Sequence, residues 1–91
     1  MRWTWTAVDE HPPKRGRYAG IEGAYGPRIT HEARDADGEL RGVIWPTDHS
    51  GRRCSIRRGI VAVSTLTLPI GTPDNVARGL VDSLITLWNT P

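Results

Sequence analysis

The chain has 91 residues, of which 37% are hydrophobic, and its formal charge is +2. That length holds one domain, residues 1–91, with one modest core. The charge is far from the strongly basic balance of a dedicated nucleic-acid coat. No apolar run approaches the roughly 18 residues of a membrane span. The opening MRWTWTAVDE lacks the apolar segment and small-residue cleavage site of a signal peptide.

Residues 2–8 alternate. Trp3, Trp5 and Ala7 share one face, and Thr4, Thr6 and Val8 share the other, so a short strand is expected. Residues 9–17 read as a loop, because Pro12 and Pro13 cannot sit in a ladder and the charges need water. Residues 18–34 read as one interrupted strand or two short ones, weakened by Gly20, Gly23, Gly26 and Pro27. Beyond Pro27 the alternation is clear, with Ile29, His31 and Ala33 against Thr30, Glu32 and Arg34.

Asp35-Ala36-Asp37-Gly38-Glu39 places Asp-Gly between two alternating runs, the strongest short-range hairpin signal. The return strand is 40–46, with Leu40, Gly42 and Ile44 opposed to Arg41, Val43 and Trp45. Pro46 ends it, and residues 47–51 form a second turn. From Arg52 to Arg58, Cys54 and Ile56 alternate with Arg53, Ser55 and Arg57; Gly59 breaks the run. Residues 60–68, IVAVSTLTL, form the most apolar β-branched segment and read as a central strand. The pattern leaves open whether 52–68 is one bent strand or two.

The helix covers residues 73–89. Thr72 is the expected N-cap, Pro73 the first helical residue, and Asp74 suits the positive end of the dipole. At about 100° per residue, Val76, Ala77, Leu80, Val81, Leu84, Ile85, Leu87 and Trp88 fall on one side. That arc spans about half the circumference, wider than the roughly 100° stripe of an ordinary surface helix. A sheet that leaves part of it bare would expose a dimer or partner contact.

The expected class is therefore α+β. Five or six antiparallel strands within residues 2–68 form a meander sheet or a small partly closed barrel, covered by one C-terminal amphipathic helix.

The candidate contact residues are Arg41, Trp45, Arg52, Arg53, Arg57 and Arg58. With Cys54 and Ile56 inward, Arg53 and Arg57 face solvent, and Arg41 on the neighbouring strand would join them. Such a patch suits phosphates. The competing reading is a solvated face paired with Glu32, Glu39 and other carboxylates. Trp45, beside several arginines, suits a protein hot spot.

Catalytic and metal signals fail one by one. His11, His31 and His49 lack metal-ligand spacing. Asp48-His49-Ser50 has the residue types of a hydrolase triad, but neighbours in one turn cannot reach its geometry. The acidic run at Asp35 fails a calcium loop, whose first and twelfth ligand positions would be Ala33 and Ile44. Gly20-Ile21-Glu22-Gly23 has the spacing of a backbone clamp but not its flanking helices.

No cofactor, metal or catalytic residue is expected. The expected function is a small non-enzymatic protein-interaction or regulatory module that binds a protein partner or itself. The alternative is a nucleic-acid-binding regulator using the arginines. A single Cys54, unable to form an intrachain disulfide, points to a reducing cytoplasmic setting. Eleven arginines to one lysine, with no Phe, suggest coding in a GC-rich bacterium or its phage.

Overall fold

The computed structural model describes residues 3–9 and 28–89. Five strands, β1 (Trp3–Asp9), β2 (Ile29–Asp35), β3 (Leu40–Ile44), β4 (Arg52–Arg58) and β5 (Val61–Leu68), precede helix α1 (Asp74–Asn89). The strands form one antiparallel sheet in chain order, β1-β2-β3-β4-β5. β1 and β5 are not paired, so the sheet is an open meander rather than a barrel. Of the loop expected at 9–17, Asp9 is instead the last residue of β1; residues 10–17 and the strand segment 18–27 lie outside the described residues, as do Gly20, Gly23 and His11.

Each tight connection follows from local chemistry. In the β2–β3 turn, the Asp35 carboxylate accepts hydrogen bonds from the amides of Asp37 and Glu39, both at 2.9 Å. Gly38 then takes φ +81°, which an L side chain resists. Between β4 and β5 the turn is Gly59-Ile60, with φ +62° at the glycine. Residues 52–68 are thus two strands.

One strand takes a different place from its sequence reading. Among the described residues, Val61–Leu68 of the 60–68 segment form the edge strand β5, not a central one. β-Branched residues are strand formers at any position, so their density cannot by itself locate the strand within the sheet. Two smaller boundaries also move. β3 stops at Ile44, and α1 begins at Asp74, with the Ala77 amide bonded to the Pro73 carbonyl. The Thr72 hydroxyl donates to the Pro69 carbonyl at 2.7 Å instead of capping the helix.

Helix α1 packs over β3 and β4. The core joins Ala33, Ile44, Cys54 and Ile56 from the sheet to Ala77, Val81 and Ile85 from the helix, all at 0–1% exposure. Burying an aliphatic side chain of this size contributes about 1.5–3 kcal/mol. Gly42 permits the close approach, since a Cβ there would lie 2.9 Å from Val81 Cγ1 and 3.1 Å from Ile85 Cδ1.

Candidate interaction surface

The sheet does not assemble the six sequence candidates into one patch. Arg52 points to the helix side and is buried at 7% exposure. Its guanidinium donates to Asp74 and, through Nε, to the Trp45 carbonyl at 3.1 Å. Arg41 is the extra residue of a β-bulge, because Ala33 pairs with Gly42 while Arg34 pairs with Leu40. Its side chain is largely buried, bonded to Asp35 at 3.0 Å and 3.4 Å from Glu39. Arg57 reaches the carbonyls of Gly59 and Ile60, and Arg58 reaches that of Trp88 at the helix end. Arg53 is exposed, its guanidinium 3.9 Å from Asp48. Trp45 lies just past β3, half-buried, its amide bonded to the Arg53 carbonyl.

Near the start of α1, the buried Arg52 guanidinium meets a half-exposed Asp74 carboxylate. Arg52 holds the Asp74 carboxyl below its ordinary range, against an opposing effect of burial. His31 Nε2 stands 3.6 Å from the other Asp74 oxygen, beyond hydrogen-bond distance. Burial pulls the His31 pKa down, against the attraction of Asp74. A cleft of about 290 Å³, lined in part by Arg52, Thr72 and Asp74, opens beside this pair. Its arginine and carboxylate neutralise one another, so neither is offered to a ligand.

Nucleophiles are poorly placed. His31 Nε2 and Ser55 Oγ are buried side-chain atoms without a hydrogen-bond partner. They cannot meet. His31 pairs with Ile44 on the helix face, whereas Ser55 pairs with Val43 on the opposite face. Cys54 is buried, and burial pushes its thiol pKa up. Asp48 accepts from the Ser50 amide at 2.7 Å, which closes the second turn. Among the described residues, no group of three or more His, Cys, Asp or Glu could hold a metal ion. Among them, too, no helix is long and apolar enough to cross a membrane.

The two flanks of α1 differ. Towards β1, the indole N–H groups of Trp3 and Trp5 both donate to Asp82 Oδ1 at 2.7 Å. Two half-buried rings thereby close that side. At 100° per residue, Val76, Leu80 and Leu87 lie on the opposite flank, turned towards β5. They are 52%, 37% and 68% exposed. Trp88, Val61 and Ile60 at the far end are also exposed. The apolar arc of the helix is therefore only partly covered.

Asp82 was not singled out by the sequence pattern, and Asp74 was read only as a partner of the helix dipole, not of Arg52. Asp82 falls on the polar side of the wheel, and only the general need of a part-buried indole for an acceptor hints at its role.

No family model, curated protein or solved structure matches this chain.

Proposed function

We infer that the chain is a small non-enzymatic protein-interaction module, working in a reducing cytoplasmic setting. It engages its partner through the uncovered flank of α1 and the adjoining edge of β5. The observation that carries this reading is the exposure of Val76, Leu80 and Leu87 on one side of a helix whose other side is closed by Trp3, Trp5 and Asp82. A contiguous apolar surface on a soluble domain marks an interaction site. The arginines contribute less, since Arg41 and Arg52 are committed to carboxylates and Arg57 to carbonyls.

The test is retention of a partner from the source extract by immobilised wild-type protein and by Leu80→Glu plus Leu87→Glu. Both positions are exposed enough for the variant to keep its helix, which circular dichroism verifies. A partner held by wild type and lost by the variant supports the reading. Equal capture by both sinks it. So does tight duplex binding that weakens steeply with salt and vanishes in Arg53→Ala plus Arg57→Ala.

A further inference from the structure

We propose that the partner is a second copy of this chain, joined by antiparallel pairing of β5 with its own mate across a two-fold axis. The proposal rests on the interaction reading above and names the occupant of that surface.

The first observation is the character of the edge. Natural edge strands are protected by lysines, prolines, inward charges, β-bulges or very short length. β5 runs for eight residues, VAVSTLTL, with no charged residue and no proline. Its one irregularity is near its start. Ile56 pairs with Ser64 and Arg57 with Ala62, which leaves Val63 as the extra residue. The stretch Ser64–Leu68 stays regular, and every second side chain on it is Ser, Leu or Leu on the helix face and Thr on the other. Such a segment is a template for another neutral strand.

Symmetry selects the second copy. An antiparallel pair of identical strands is two-fold symmetric, so each copy offers the other the same donors and acceptors. The pairing turns two five-stranded meanders into one continuous antiparallel sheet. Both helices then lie on the same face. Their uncovered flanks, Val76, Leu80 and Leu87, turn towards one another over Leu66 and Leu68 of both strands. Leu66 and Leu68 are half-buried within one chain and pack against the core from its margin.

Charge and area agree with this occupant. Neither β5 nor the flank residues carry charge, so nothing on the surface selects a charged partner. The exposed fractions of Val61, Val76, Leu80 and Leu87 amount to roughly 400 Å² of apolar side chain. A standard interface takes ~800 Å² from each partner. The strand's main-chain edge and its exposed Ala62, Thr65 and Thr67 add to that area.

The test is the molecular mass of the full chain by sedimentation and light scattering over a wide dilution series. The expected result is twice the 10.1 kDa chain mass, falling to one chain on dilution. Leu80→Glu plus Leu87→Glu places like charges across the axis and should raise the dissociation constant about 100-fold or more. Thr65→Lys, on the exposed face of the strand, should weaken the dimer independently by charging the edge. Circular dichroism and tryptophan emission of both variants guard against unfolding as the cause. Amide exchange of β5 should slow with increasing wild-type concentration. A chain that is monomeric at every concentration overturns the self-pairing. If that monomer still captures a heterologous protein through Leu80 and Leu87, the interaction reading stands alone. A dimer untouched by all three substitutions overturns the proposed interface.

Discussion

The two edges of the sheet are built from similar strands and end differently. β1 and β5 both alternate, and both place apolar side chains on the face under α1. At β1 those side chains are Trp3 and Trp5, long enough to rise beside the helix and share the Asp82 carboxylate. At β5 they are Leu66 and Leu68, which reach the core margin and leave Val76, Leu80 and Leu87 bare. The lesson is that side-chain reach, not strand propensity, decides whether a single helix seals a five-stranded sheet. One flank is closed within the chain. The other stays partly exposed.

The largest expected effect comes from the joint that carries β5. Gly51 has φ +118°, and a Cβ there would lie 2.3 Å from the Leu68 carbonyl oxygen. Gly51→Ala should destabilise the fold by about 3 kcal/mol, measured by denaturant unfolding, and should loosen the open edge first. A variant as stable as wild type would show that the strand end is not held there.

Next, Asp82→Ala should break the closed flank. It strips the acceptor from two part-buried indoles and should cost about 2 kcal/mol, with red-shifted tryptophan emission. Asp82→Asn retains one acceptor oxygen and should lose less. Unchanged emission in Asp82→Ala would mean that the rings close the flank by packing alone.

A smaller effect arises under the start of the helix. The folded state depresses the His31 pKa, so the unfolded chain binds the proton more readily. Stability should be full above the ordinary histidine value near 6.5 and decline as pH falls through it towards the lower folded value. His31→Gln should flatten that slope. The depressed carboxyls of Asp35 and Asp74 act lower, with stability present above about pH 4 and lost as pH falls further. A thermal unfolding series against pH separates the two windows.

The smallest stability effect belongs to the open flank. Leu87→Ser should leave the unfolding free energy of the isolated chain within about 0.5 kcal/mol, because the residue is already 68% exposed. A loss comparable to that of Asp82→Ala would erase the distinction between the flanks.

The elements were legible in the sequence where the signal is local. The Asp-Gly turn at 37–38, the break at Gly59 and the strand phases of Trp3–Asp9 and Arg52–Arg58 depend on neighbours within a few residues. The helix, too, was visible in its apolar periodicity, with a start one residue later than its capping pattern suggested. The arginine cluster was less legible. Whether Arg52 is a ligand or a buried partner depends on Asp74, 22 residues away. That Trp3 and Trp5 close a flank of the helix depends on Asp82, 79 and 77 residues away.

The sequence by itself determined that this chain is a strand-rich unit ending in a helix with more apolar surface than a helix usually buries. Periodicity and turn chemistry act over one or two turns of chain, and they suffice for that. Only the tertiary structure decided that the 60–68 strand is an edge, that Arg41 and Arg52 are neutralised, and that the bare part of the helix faces the open side of the sheet. Those outcomes follow from which strands become neighbours, and strand order is set by the packing of the whole chain rather than by any segment's own preference.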